Sequence, residues 1–182
     1  YMELNNPDKA LTYGKKNIAL AEKDTSKIML LQAYLGLVNI CLEKNDLETA
    51  SLYLDKAEPY IPQPHEILVN YAYYQRRGHI AFQQKKFAAS YQYYLQAYHY
   101  SEMSGHYTHM CLSLHYLSQN AMELGHIADA KKYAFRNLEL AELNNSKSSK
   151  IDALLNVAAY YHKTGNAAAY DYLKQAMLLK DT

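Results

Sequence analysis

Tryptophan is absent from this 182-residue chain, and glycine, proline and cysteine are scarce, at 6, 4 and 2 residues. So little glycine and proline leaves few sites for tight turns. No segment alternates Val, Ile or Thr with polar residues between turn pairs, which argues against strands. The two cysteines, Cys41 and Cys111, are too few for a disulfide framework and do not form a CxxC pair. An excess of one charge is also lacking. Lys and Arg total 19 against 18 for Asp and Glu, and no basic run could follow a phosphate backbone, so no direct nucleic acid contact is expected. Apolar stretches break at Gln, Asn, Lys or His before the roughly 18 residues a membrane span needs, so no membrane insertion by this segment is expected. No Gly-rich phosphate loop, nucleophile elbow or convergent acid pair is present, so neither catalysis nor a cofactor is expected.

What the chain does have is apolar residues three and four apart almost throughout, the spacing of amphipathic helices. The pattern predicts helices near 7–23, 27–44, 46–60, 65–84, 87–103, 107–124, 127–143, 148–164 and 166–179. Four segments align without gaps at a period of 40: Tyr34, Leu37, Val38, Cys41 and Asn45; Tyr74, Arg77, Gly78, Ala81 and Lys85; Leu114, Leu117, Ser118, Ala121 and Gly125; Leu154, Val157, Ala158, Tyr161 and Gly165. Counting Tyr34 as place 4, each unit carries a second helix with residues at places 20, 24 and 27. These are Ala50, Leu54 and Ala57; Ser90, Tyr94 and Ala97; Ala130, Ala134 and Asn137; and, one residue early, Ala169, Leu173 and Ala176. Small residues at places 8 and 20 would let two antiparallel helices approach closely. Asn45, Gly125 and Gly165 stand where a first helix ends on a left-handed residue, with Lys85 as the exception. Pro62, Pro64 and the run from Asn144 to Ser149 mark unit boundaries.

These places resemble the tetratricopeptide repeat family, which is similarly large at place 4, Leu at 7, small at 8, aromatic at 24 and Ala at 20 and 27. Tyr74, Gly78, Phe87, Tyr94 and Ala97 carry the resemblance in one unit, and Ala50, Ala57 and Pro62 in another. The family's usual period is about 34, so these are units of a longer type. Such units resemble the sensory regions of bacterial histidine kinases and helix-turn-helix regulators. The resemblance implies an all-α superhelix with a partial repeat over 1–25 and repeats over about 26–64, 65–105, 106–146 and 147–182. Tyr1 falls on place 11, so the chain is expected to be one solenoid domain excised mid-repeat from a longer protein. The compartment stays open between the cytoplasm and the periplasmic face of a membrane-anchored regulator.

The family's architecture also implies a concave groove lined by the first helices, through places 2, 5, 6, 9, 12 and 13. The expected binding residues are Asn39, Gln75, Arg76, His79, Phe82, His115, Tyr116, Gln119, Met122 and Asn156, amides and rings suited to an extended peptide or a protein surface. The family's clamp for a C-terminal carboxylate is matched at Asn39 alone, although Arg76, His79 and Asn39 together could hold a carboxylate. The alternative readings are a receptor for a small signalling peptide, and a structural scaffold that forms a homodimer through an exposed terminal repeat. Among other clusters, the 20 tyrosines read as packing and convex surface. His106, His109, Cys111 and His115 lack the carboxylate or second pair that would complete a metal shell, so no metal site is expected.

Overall fold

The computed structural model describes residues 7–23, 26–61 and 66–181. Among them run nine α-helices: α1 (Pro7–Lys23), α2 (Lys27–Glu43), α3 (Leu47–Ala57), α4 (Ile67–Gln83), α5 (Phe87–Ser104), α6 (Tyr107–Glu123), α7 (Ile127–Leu143), α8 (Lys147–Lys163) and α9 (Ala168–Asp181). A 3₁₀ turn, Glu58–Tyr60, extends α3. No strand occurs among the described residues. Among the described residues no helix is long and apolar enough to cross a membrane. Pro62 and Pro64 lie outside the described residues.

The helices pair as hairpins, α2 with α3, α4 with α5, α6 with α7 and α8 with α9, while α1 packs on α2. Every hairpin turn has the same construction. The residue at the expected end of the first helix takes a left-handed backbone, with φ of 55° at Asn45, 58° at Lys85, 76° at Gly125 and 69° at Gly165. The next amide donates back five residues, from Asp46 to the Cys41 carbonyl at 2.9 Å, Lys86 to Ala81 at 2.8 Å, His126 to Ala121 at 2.8 Å and Asn166 to Tyr161 at 2.9 Å. This bond closes the helix end by satisfying a carbonyl that has no intrahelical partner. Lys85 is no exception to the geometry; it adopts the strained conformation with an ordinary side chain. Asp46 then caps α3, its carboxylate accepting from the Thr49 amide at 3.0 Å, and this bond holds its carboxyl below the usual range.

Close approach at places 8 and 20 is real, and in two units it is sealed by a hydrogen bond. Ser90 Oγ donates to the Gly78 carbonyl and Ser118 Oγ to the Ala130 carbonyl, each at 2.9 Å. Gly78 is needed there because a Cβ would come within 2.7 Å of the Tyr94 ring. The core beneath is mostly aliphatic and small, with Tyr94 its largest fully buried member. Leu37, Val38, Ala50, Leu54, Ala57, Ala97, Leu117, Ala130, Ala134 and Val157 are fully buried. In the last unit Leu173 departs from this rule and is 43% exposed, because α9 packs on α8 without a further hairpin over it among the described residues.

Tyrosine has a repeat of its own. Tyr13, Tyr53, Tyr93 and Tyr133 stand 40 residues apart on the second helices, with Tyr172 one residue early. Three of them tie a second helix to a neighbouring element. Tyr53 packs on Tyr34 at 6.4 Å, Tyr133 on Tyr91 at 6.2 Å, and Tyr172 stacks on Tyr161 at 5.6 Å. Cys41 and Cys111 are buried free thiols.

Candidate peptide-binding groove

First helices meet one another: α2 packs against α4 and α6 against α8, while α4 and α6 are joined by side chains, Tyr116 touching His79 and Phe82. A stack held closer on one side curves toward it, so α2, α4, α6 and α8 line the inner face. Most of the expected residues meet there. Asn39 Oδ1, on α2, accepts from Arg76 Nε at 2.7 Å, and Arg76 Nη1 donates to the Ala72 carbonyl at 2.8 Å. These two bonds lay the guanidinium flat along α4, with half-buried Gln75 beside it.

A second cluster is organised by Tyr116. Its ring stacks on buried Tyr94 at 4.6 Å, meets Phe82 edge-on at 5.2 Å and His115 edge-on at 5.2 Å, while its hydroxyl lies 3.4 Å from His79 Nδ1. Gln119 Nε2 lies 3.0 Å from His115 Nε2. Burial lowers the pKa of both His79 and His115 from the ordinary value of 6.5, which keeps the rings uncharged at neutral pH. Met122 closes this cluster from below. With Phe82, Phe87 and Gln119 it lines a shallow hollow of about 390 Å³.

Asn156 must be corrected. It is 1% exposed, with both amide atoms unpaired, and cannot present a hydrogen bond to the open groove. The physical reason is that α8 packs directly on α6 as well as on α7 and α9, so a side chain at place 6 of the last unit is covered.

Of a further concavity on this face the expected set held only His115 and Tyr116. A pocket of about 360 Å³ lies between α6 and α8, walled by Thr108, Leu112, His115, Tyr116, Ser149 and Asp152 and floored by Asn137 of α7. Asn137 is 1% exposed, and its Oδ1 has no donor. Leu112 and Asp152 both occupy place 2, so a ladder drawn at that place would have found the pocket walls. Asn137, at a core place of a second helix, gave no such signal. The His106, His109, Cys111 and His115 cluster is not convergent. Among the described residues no group of three or more His, Cys, Asp or Glu side chains is arranged to hold a metal. Cys111 is instead a buried thiol whose pKa burial pushes up to about 11.

Two charges on the inner face have no opposite charge in contact among the described residues. Arg76 is half-buried, which pushes its pKa below the ordinary value, and no carboxylate among the described residues contacts it. The adjacent Arg77 shows the contrast, held by Asp55 at 2.7 Å and Glu58 at 3.5 Å. Asp152 likewise has no cation against it, while Lys150 of the same helix pairs with Glu142 at 3.4 Å and Lys163 with Glu123 at 3.8 Å.

No family model and no curated protein sequence matches the chain. Solved structures do. A crystal structure from Podosopora anserina, described as a kinesin light chain with nearly identical TPR-like repeats, superposes with a TM-score of 0.73 at 12% identity, covering 99% of this chain and 90% of that one. A substituted form of it gives a TM-score of 0.77 at 13% identity, covering 99% and 89%. At such identity the likeness concerns the fold, and the chain folds as an all-α, tetratricopeptide-like solenoid.

Proposed function

We propose that this chain is a protein- or peptide-binding module that recognises its partner along the groove of α2, α4, α6 and α8, and that it acts by binding rather than by catalysis. The observation that carries this reading is the linked set on the inner face, Asn39 to Arg76 and His79 to Tyr116, Phe82, His115 and Gln119. Half-buried amides and imidazoles lie beside aromatic edges there, a composition that pairs with a peptide backbone while docking its apolar side chains. The resemblance to long-repeat sensory regions suggests a place in a bacterial signalling or regulatory protein. The groove would then be the sensory surface, or the receptor for a small signalling peptide.

The test begins with peptides selected from a random library against the immobilised protein. Replacing Arg76, His79 and Gln119 together by Ala should weaken the best of them by at least about tenfold, roughly 1.4 kcal/mol, with the melting temperature within a few degrees of the parent. Undiminished affinity would place recognition elsewhere. A parallel collapse of stability would make the three residues structural.

A specific observation favours a second reading, assembly through the terminal repeat. Tyr170, Leu173, Met177 and Leu178 on α9 are 69%, 43%, 60% and 59% exposed. A second copy seated on that face would appear as a concentration-dependent dimer in sedimentation, and Met177→Glu would abolish it.

A further inference from the structure

We propose that the pocket between α6 and α8 is a site for an organic cation, a primary ammonium or a guanidinium carried on an aliphatic stem. Its source is either a free amine or a lysine or arginine side chain of a bound peptide. The inference gives one end of the groove a ligand chemistry, and so rests on the reading of that face as a binding surface.

Asn137 is the residue that carries it. It stands at place 27 of its unit, which Ala57 and Ala97, both fully buried, fill in the two units before it. Alanine there lets a second helix sit close and asks for no hydrogen bond. Asparagine brings an amide to the same position on α7, 1% exposed, and its Oδ1 has no donor. Buried acceptors are nearly always paired, because one that loses water without gaining a partner is costly. This one belongs to the floor of an open pocket of about 360 Å³, so a ligand can bring the missing donor.

The rest of the lining fixes the charge of that ligand. Asp152 stands exposed at the wall, with no cation in contact among the described residues. The other titratable groups there are kept uncharged at neutral pH by burial, which pushes the Cys111 thiol up to about 11, raises the Tyr116 phenol and lowers the His115 imidazole. Asp152 is thus the single formal charge in the lining. Ser149, buried in the wall, gives its proton to Ser146 Oγ at 3.1 Å and offers the pocket no donor.

An ammonium or guanidinium supplies what this lining lacks, N–H donors for Asn137 Oδ1 and positive charge for Asp152. Its methylenes find apolar wall at Leu112 and the Tyr116 ring, the kind of surface on which long cationic side chains lay their stems. The volume is at the low end of ligand sites, which run from roughly 300 to 1,000 Å³, and suits a stem of lysine or arginine length.

Two sets of probes test this on the whole chain. The first is n-pentylammonium and n-pentylguanidinium, with n-pentanol as the uncharged counterpart and pentanoate as the anionic one, titrated into the millimolar range while side-chain amide resonances are followed by NMR. The second is peptides selected from a random library, each lysine or arginine then replaced by glutamine. In at least one set the cation should bind saturably, at least about tenfold more tightly than its uncharged counterpart, and shift the Asn137 amide resonance. Asn137→Ala and Asp152→Asn should each reduce that preference about tenfold. Both variants should keep the fold, since alanine already fills place 27 in other units and Asp152 is exposed. Should Asn137→Ala not fold, Asp152→Asn decides. Preference in the peptide set makes the ligand a side chain; preference among the small probes alone makes it a free amine. No preference in either set overturns the inference, as does a preference that survives both substitutions. If selected peptides depend on Arg76, His79 and Gln119 but not on a basic residue, Asn137 or Asp152, and the small cations show no preference, this inference falls and the groove reading stands.

Discussion

Lys85 holds a left-handed backbone, φ 58°, at the turn where the two later units use glycine. An L side chain in that conformation costs roughly 1–2 kcal/mol, and glycine gives back part of this through the greater freedom of the unfolded chain. Lys85→Gly should therefore stabilise the protein by about 0.5–1 kcal/mol, a rise of roughly 1–4 °C in a thermal melt. No change would mean that the lysine stem gains as much against Phe82 and Phe87 as the strain costs. The imidazoles give a pH dependence with a definite sign. Burial is the first cause lowering the pKa of His79, His109 and His115 from the ordinary 6.5. The folded state therefore binds fewer protons than the unfolded state just below that value. Stability is full above pH 6.5 and is lost as pH falls through the depressed folded values. The denaturant midpoint should drop between pH 7 and pH 5, and His79→Gln with His115→Gln should flatten the drop. An unchanged slope in that double variant would assign the dependence to other groups.

Hairpins, not single helices, are the elements whose integrity the groove needs. Gly78 lets α4 and α5 close until Tyr94 lies over its Cα, and Tyr94 in turn supports the Tyr116 ring on the inner face. Gly78→Ala places a Cβ 2.7 Å from that ring. Overpacking of this kind costs about 1–3 kcal/mol, against about 1 kcal/mol gained in helix propensity. A net destabilisation of about 1 kcal/mol is expected in chemical unfolding, together with weaker binding of library-selected peptides as Tyr116 is displaced. A gain in stability would mean that the hairpin opens without cost and that Tyr94 is not the wedge. Gly14 plays the matching part between α1 and α2, where a Cβ would overlap the Leu37 side chain.

Over the whole molecule, stability should grade from the ends toward the middle, because each hairpin of a solenoid is held by its neighbours. In this chain α6 packs on α5, α7 and α8, while α1 packs on α2 and leaves Tyr13 and Leu20 each 63% exposed. Amide exchange should therefore be faster across residues 7–23 than across 107–123, and equal protection of the two in a monomer would show one cooperative unit instead. The sequence by itself determined the helices, the hairpin turns and the small residues at their crossings. These depend on spacing within some twenty residues, and the period of 40 repeats that local information four times. The repeat register also set Asn39 level with Arg76, and Tyr116 level with His79 and Phe82, which meet in the folded chain. Tertiary structure decided the rest. How closely α8 approaches α6 buried Asn156 and opened a pocket beside Asp152, with Asn137 as its floor. That distance is set by packing summed over several helices, and no single unit encodes it. That Arg77 is held by Asp55 while Arg76 meets no carboxylate among the described residues likewise became visible only in the folded chain.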